Sequence, residues 1–429
     1  MSRVTVIGAG LAGSEAALQL ASRGVKVRLI DCKPHEKTPA HKSDDFGELV
    51  CSNSLKSDLL STASGLLKAE LRLLGSELIR IADEVKVPAG SALAVNRELF
   101  AEKITEKLRL DPNIEIVCQT VTDWDTDEYT IIATGPLTLD GLAAKIAERF
   151  GAGLHFYDAA APIVDGASID LSRAFTADRY GKGEGDYLNC PMTREEYDEF
   201  YAALVTAECA VLHEFEKSDV FEGCMPVEVM ARRGRDTLLF GPLRPVGFFD
   251  ETGKRHYAVV QLRRENVEGS AYNIVGFQTN LKFSEQRRVF GMIPALKNAE
   301  FLRYGVMHRN TFINAPEVVD ANFRVKKYPK TYVAGQLSGV EGYVESIMSG
   351  LIAARSLCRE INGLEPVKLP RETICGALCN YLETPNAAFQ PMNANFGLLP
   401  PITERIKDKN AKKTMQSEKS LKILKNFTL

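Results

Sequence analysis

The chain has 429 residues, 45% of them hydrophobic and 25% charged, which is the composition of a globular protein with sequence enough for two or three domains. Its formal net charge is −3, so bulk charge does not announce a nucleic-acid partner, and any RNA would have to be held by local basic patches. No apolar run is long enough to span a bilayer, and "VTVIGAG" opens a folded element almost at the first methionine, so a cytosolic chain with no signal peptide is expected, its nine cysteines being thiols.

In chain order, "RVTVIGAG" predicts a strand running into a glycine turn. "SEAALQLASR" predicts a helix stopped by Gly24, and "VKVRLID" a second strand ending at Asp31. "SGLLKAELRLLGSELIRIADE" reads as one amphipathic helix and "RELFAEKITEKL" as another. "YTIIATG" is a buried strand, followed by a helix in "PLTLDGLAAKIAERF". From about Pro162 the texture changes. "SRAFTADRYGKGEGDYLNCP" is a polar loop, and "TREEYDEFYAALVTAECAVLHEF" returns to helix. "RDTLLFGPLRPVGFFD", "HYAVVQLRREN" and "YNIVGFQTN" read as turn-laden strands of an inserted sheet. "TYVAGQLSGVEGYVESIMSGLIAARSLCREI" is again strand, glycine turn and helix, and the residues from Ile402 are helical and basic. The fold class expected is α/β, a doubly wound parallel sheet with an inserted α+β domain.

Gly8, Gly10 and Gly13 form GxGxxG, with Ala9, Leu11 and Ala12 between them. Gly8 permits the tight turn, Gly10 the approach of a pyrophosphate to the backbone, and Gly13 the packing of helix on strand. The phosphate charge falls at a helix N-terminus, where free N–H groups favour an anion. Asp31 stands where a carboxylate would bind a ribose hydroxyl. The motif alone does not separate FAD from NAD. Two later segments resemble flavoproteins of the glutathione-reductase type: "IIATG", ending at Gly135, and "YVAGQLSG", containing Gly335 and Gln336 and followed by a helix that opens at Gly342 and Tyr343. The second sets a helix N-terminus near the flavin's pyrimidine ring.

Most of the cysteines read as packing. Cys32 reads as structural, Cys118, Cys209 and Cys358 as core, and the pair Cys375 and Cys379 as one face of a helix rather than half of a metal site; no metal is expected. No CxxC lies near the flavin motifs, which argues against a dithiol reductase. Cys51, in "ELVCSNSLKS", and Cys224, in "FEGCMPVEVMARRG", differ by their polar, turn-rich surroundings. Lys56 beside the first, and Arg232 and Arg233 after the second, are placed to favour a thiolate. On the residues alone, packing and nucleophile both stay open for each.

The stretches "TPAHKSDDFGELVCSNSLKS", "FEGCMPVEVMARRGRDTLLFGPLRPVG", "YNIVGFQTNLKFSEQRRVFGMIPALKNAEFLRYGVMHRNTFINAP", "AGQLSGVEGYVESIMSGL" and "QPMNANFGLLPP" closely resemble the folate- and FAD-dependent tRNA (uracil-5-)-methyltransferase family, over nearly the whole chain. A related family that modifies the wobble uridine carries a large extra C-terminal domain, for which this length leaves no room. The resemblance implies a reaction in which 5,10-methylenetetrahydrofolate donates a one-carbon unit to FAD, NADPH or NADH supplies hydride, and a uridine in the T-arm of tRNA gains a 5-methyl group. It implies that Cys51 and Cys224 are the two functional cysteines. Cys224 is assigned as the nucleophile at uracil C6 and Cys51 as the acid/base. It also implies the organisation: residues 1–160 form the first part of the FAD-binding domain. Residues 161–315 are mainly insertion, with a loop at about 220–245 returning to the flavin, and 316–429 complete the FAD-binding domain and end in the basic helix. One departure is that the family's Glu-Met-Arg-Pro is here Asp31, Cys32, Lys33 and Pro34, and a lysine lacks the planar fork of arginine.

RNA contacts are expected at local basic clusters: Arg232 and Arg233 in "ARRGR", the arginines of "LRRE", Arg287 with Arg288, and the tail with Lys412 and Lys413. From Pro401 the tail has eight Lys and Arg against three acids, a balance of +5. Two rival functions are the same chemistry on a ribosomal-RNA uridine, and an NAD(P)H-dependent flavin oxidoreductase acting on a small molecule.

Overall fold

The computed structural model describes residues 3–38, 40–151, 154–177, 186–210, 225–250, 252–387, 389–401 and 408–427. Five parallel strands make one sheet, in the spatial order Thr331–Val333, Thr130–Ile132, Arg3–Ile7, Lys26–Asp31, Ile114–Cys118. The apolar residues of the four strands other than the edge strand Ile114–Cys118 (Val4, Val6, Val27, Leu29, Ile131, Ile132, Tyr332 and Val333 among them) are buried, because helices cover the sheet. The helix Leu11–Ala21 is buried along its whole length. It lies between that sheet and the long helix Tyr343–Ile361. The two helices can touch because position 350 is glycine: a Cβ there would stand 2.1 Å from the Ala12 carbonyl oxygen. This is the α/β, doubly wound arrangement expected from the alternating strands and helices.

The second sheet is antiparallel, with six strands ordered Phe175–Thr176, Tyr187–Met192, Ala258–Arg264, Ala271–Ile274, Ile163–Asp165, Phe301–Arg303. It has a core of its own, built on Val164, Cys190, Phe200, Val260, Phe277 and Phe290. A two-stranded antiparallel ladder, Leu154–Ala159 against Met307–Phe312, carries the chain out to this sheet and back. A three-stranded sheet pairs Ser54–Ser57 and Lys86–Val87 with Ala92–Val95.

Four local readings of the sequence are corrected. The stretch expected as one helix after Ser64 is two, Ala63–Leu73 and Glu77–Glu84. Gly75 at φ +67° turns the chain out of the first, and the Ser76 hydroxyl caps the second by accepting from the Ile79 N–H. "RDTLLFGPLRPVGFFD" is a short helix, Thr237–Phe240, followed by turns instead of a strand, since Pro242 and Pro245 cannot donate to a ladder. Cys118 is exposed, because its strand is the edge of the parallel sheet. Cys209 is half-buried and follows the helix Arg194–Thr206, in a bridge to Leu281.

Two fully buried carboxylates tie helices together. Glu15 accepts from Ser76 Oγ and the Leu78 N–H at the start of Glu77–Glu84. Glu70 accepts from the N–H groups of Ile374 and Cys375 in the first turn of Ile374–Glu383, and from Ser420 Oγ on the last helix, Lys409–Lys425. Burial pushes both carboxyls above their usual range, against the pull of these hydrogen bonds.

Candidate active site

A cleft opens at the carboxyl ends of the parallel strands, where ligands bind in open α/β sheets. Gly8, Gly10, Leu11, Ala12, Asp31, Gly135, Gly335, Gln336 and Tyr343 line it. Ala9, Gly13 and Gly342 are not among the lining residues but are their neighbours in sequence. Gly8 adopts φ +98°, and a Cβ there would lie 2.6 Å from the Ala133 carbonyl oxygen; one on Gly13 would lie 1.8 Å from the Gly8 oxygen. Ala9 donates its N–H to Asp31 Oδ2 at 2.7 Å, and Lys33 donates its N–H to Oδ1 at 2.9 Å, so the carboxylate fixes the glycine loop as well as facing the cleft. The wall includes Lys33, which stands in place of the family's arginine, and residues that the sequence did not single out: His41, Glu48, Val50, Thr134, Thr138 and Ser346.

The cradle fits a dinucleotide. A Cβ on Gly10 or Gly135 would meet nothing within 4 Å, so at these two lining positions the glycine leaves open space. The helices that open on this space are capped by glycine, Leu11–Ala21 by Gly10 and Tyr343–Ile361 by Gly342, with no side-chain hydrogen bond at either end. Six other helices are capped by the side-chain oxygens of Thr62, Ser76, Asn96, Thr193, Thr373 and Asp408, while the helices after Leu139, Pro226, Asp236, Lys282 and Asn314 also lack such a cap. At Leu11–Ala21, which has no acidic residue in its first turn, the uncapped N–H groups and the positive end of the helix dipole face the cleft and suit an anionic ligand; at Tyr343–Ile361 the buried Glu345 already shares the first turn.

Cys51 sits beside this cleft. Its neighbour Val50 lines the wall, and its backbone N–H donates to the Tyr343 hydroxyl at 2.7 Å. The Ser52 N–H reaches the same oxygen at 3.1 Å. Its thiol lies 3.9 Å from the Ala159 carbonyl oxygen. Further along, Asn53 is fully buried and its amide donates to the carbonyls of Val95 and Arg264. Lys56, expected to favour the thiolate, stands at φ +62° and pairs instead with the buried carboxylate of Glu345 at 3.7 Å. The cations that surround the Cys51 loop are arginines: Arg97 on its carbonyl at Leu49, Arg303 on that at Val50, and Arg263 on Ser52 Oγ and Asn53 Oδ1. Arg263 belongs to "LRRE", read from sequence as an RNA-facing cluster. It is buried and turned inward, since it comes from a central strand of the second sheet.

Cys224 lies outside the described residues. Of the other thiols, burial pushes Cys32 up to about 11, helped by the Asp31 charge, and Cys190 and Cys379 up to about 12. The basic residues proposed for RNA are spread out. Arg232 closes the helix Val227–Arg232 with Arg233 as its cap, and its guanidinium lies 3.6 Å from Cys209 Sγ. Arg287 donates to the Tyr304 hydroxyl, while Arg288 pairs with Glu285 one turn back. Lys412 is exposed, and Lys413 lies over the Phe396 ring, 5.8 Å from its centre. Among the described residues no group of three or more His, Cys, Asp or Glu is placed to hold a metal, and no helix is long and apolar enough to cross a membrane.

Residues 3–365 match the family described as glucose inhibited division protein A. The chain is 55% identical over 428 residues to the methylenetetrahydrofolate--tRNA-(uracil-5-)-methyltransferase TrmFO of Natranaerobius thermophilus, covering 99% of both chains. It is 54% identical to the TrmFO of Bacillus cereus and 53% to that of Acetivibrio thermocellus, in each case over 427 residues, 99% of this chain and 98% of the other. The chain belongs to the TrmFO family. The resemblance read from its motifs is therefore borne out. Two crystal forms of Aquifex aeolicus GidA share the fold, with TM-scores of 0.69 and 0.70 at 17% and 18% identity; 99% of this chain covers 74% and 76% of theirs. The chain thus shares its fold with longer proteins.

Proposed function

We propose that this protein methylates C5 of a uridine in the T-arm of tRNA, taking the carbon from 5,10-methylenetetrahydrofolate, with FAD bound in the glycine cleft and NADPH or NADH as the source of hydride. The observation that carries this reading is the hydrogen bond from the Cys51 N–H to Tyr343, a wall residue of the cleft, which brings a thiol to the edge of the glycine-lined cradle. Gly8, Gly10 and Gly13, with the N–H groups after Gly10, would hold the pyrophosphate, Asp31 the ribose, and the N-terminus of Tyr343–Ile361 the flavin ring. Bound FAD supplies the one-carbon electrophile and the hydride that completes the methyl group.

C5 of uracil is a poor nucleophile, and the chain's thiols address that. Cys224 adds its thiolate to C6, which moves the C5–C6 electron pair into an enolate and makes C5 nucleophilic. Once C5 has bonded to the one-carbon unit, Cys51 removes the C5 proton. Loss of that proton frees the carbon from its carrier as an exocyclic methylene; hydride addition there expels the Cys224 thiolate and restores the C5–C6 double bond. Arg232, Arg233, Arg287, Arg288, Lys412 and Lys413 are assigned to the RNA backbone. The test is transfer of labelled methylene from methylenetetrahydrofolate to a T-arm minihelix. Label at uracil C5, lost when the target uridine is replaced by cytidine, is the expected result; a flavin-loaded protein that oxidises NADPH but never labels the RNA would overturn it.

A further inference from the structure

Cys51 occupies the middle of a five-residue loop, Leu49 to Asn53, in which every residue is gripped from a distance. Two of the grips come from buried arginines of the second sheet. Arg303, on the strand Phe301–Arg303, donates to the carbonyls of Val50 and Ala40. Arg263, on Ala258–Arg264, donates to Ser52 Oγ at 2.6 Å and Asn53 Oδ1 at 2.8 Å. They are only 8% and 6% exposed. All four acceptors are neutral. Among the described residues neither guanidinium forms an ion pair, whereas Arg97, the third arginine on the loop, pairs with Glu265 at 2.9 Å. A buried guanidinium without a direct ion pair is costly, and a protein keeps one where nearby negative charge answers it.

We infer that Arg263 and Arg303 are positioning residues for Cys51: they fix its loop from both sides and hold its thiol ionised, the form in which it acts as a base. This inference rests on the proposed function only for the purpose of the thiolate. Arg263 and Arg303 both lie within electrostatic range of Cys51. Other groups face the two arginines as well: Glu265 and Tyr187 lie within electrostatic range of Arg263, and Glu48, His41 and Lys42 within range of Arg303. Glu265 is engaged by Arg97, Glu345 by Lys56, and Glu48 takes the N–H groups of Lys42 and Ser43. Tyr343 accepts from the loop, and burial pushes its phenol above the usual range, so it stays neutral. The conformational freedom of a surface cysteine is absent here: the loop backbone is bonded at Leu49, Val50, Cys51 and Ser52.

The experiment measures the rate of iodoacetamide alkylation of the Cys51 peptide against pH, by mass spectrometry, in the flavin-loaded protein without RNA or folate. Its readout is therefore independent of methyl transfer, and a failure of the proposed reaction would leave it intact. The expected midpoint for the natural protein lies clearly below the roughly 8.5 of an ordinary thiol. Arg263→Gln and Arg303→Gln keep hydrogen-bonding groups but remove the charge, and each is expected to raise the midpoint by about one pH unit. Arg263→Lys and Arg303→Lys, which keep the charge without the planar fork, are expected to restore most of that shift. Flavin content checks that each variant is folded. Midpoints that coincide in the Gln variants and the natural protein would overturn the inference, and so would Lys variants that shift as far as Gln. If the Gln variants do not fold, the natural protein still decides: a midpoint at or above 8.5 refutes a held thiolate.

Discussion

The glycine loop and the Cys51 loop meet at one cleft but are specified in opposite ways. The first, Gly8 to Gly13, is shaped by missing side chains, and its restraints are the neighbouring strands and its own helix: the Gly8 N–H donates to Ile30, and the Ala9 N–H to Asp31. The second is shaped by side chains supplied from far along the chain, Tyr343 at a separation of 292 residues, Arg303 at 253 from Val50, and Arg263 at 211 from Ser52. A loop that must lie close to an anionic cofactor is made by removing bulk. A loop that must hold one reactive atom in one place is made by clamping it. Substitutions in the two loops should therefore fail differently.

The largest expected effect is on the clamped atom. Cys51→Ala should keep its flavin and lose methyl transfer by on the order of 10²–10⁴-fold, the usual worth of a general base. Turnover within a few-fold of the natural protein, measured with labelled methylenetetrahydrofolate, would remove Cys51 from the chemistry. Next comes Gly13→Ala. Its Cβ would stand 1.8 Å from the Gly8 carbonyl oxygen, in backbone that cannot give way. A loss of about 3 kcal/mol or more, with flavin absent from the purified protein, is expected in chemical denaturation. Gly10→Ala is the internal contrast, because the same added carbon meets no protein atom within 4 Å. The protein without flavin should then be as stable as the parent, yet bind FAD about 10- to 100-fold more weakly, since the methyl fills the space the pyrophosphate needs. Equal FAD affinity in a titration would mean that the phosphates lie elsewhere. A smaller effect is expected from Tyr343→Phe. It removes the acceptor of two loop N–H groups, worth about 1–3 kcal/mol, and should lower the melting temperature while leaving Cys51 chemically competent.

The same contrast explains what could be read from the sequence. The glycines, Asp31, "IIATG" and "YVAGQ" are legible because each does its work through local backbone geometry, so the residue type carries the meaning where it stands. Arg263 was legible only as a basic residue in "LRRE", and its burial follows from a strand pairing that no local pattern reveals: Ala258–Arg264 lies between Tyr187–Met192 and Ala271–Ile274. Lys56 had the opposite fate, since its proximity to Cys51 in sequence suggested a partner that Glu345 had already taken. Gly75 was a helix stop hidden in an amphipathic pattern that runs on in phase on either side, and only its positive φ and the Ser76 cap mark the break. Cys51 itself stood out by its polar surroundings, but the residues that hold it belong to segments remote in sequence.

The smallest expected effect tests a third kind of surface, neither open cradle nor clamp. The last helix is anchored by Leu424 in the main core and by two small polar contacts, Ser417 Oγ to the Leu60 carbonyl and Ser420 Oγ to Glu70. Lys412 is exposed, and Lys413 stands over Phe396. The loop that carries Phe396 is tied to the cleft, because the Ala394 N–H donates to Glu345 in the first turn of Tyr343–Ile361. The exposed charge of Lys412 is proposed to meet a phosphate backbone, in a chain whose net charge of −3 gives no overall attraction for RNA. Replacing Lys412 and Lys413 by Gln should weaken tRNA binding only several-fold at moderate salt. It should flatten the dependence of log affinity on log salt by about one for each phosphate no longer neutralised. Flavin content and the alkylation midpoint of Cys51 should not move, since neither lysine touches the cradle or the clamp. A salt slope identical to that of the natural protein would make these lysines ordinary solvated surface and send the search for the RNA track back to Arg232 and Arg233.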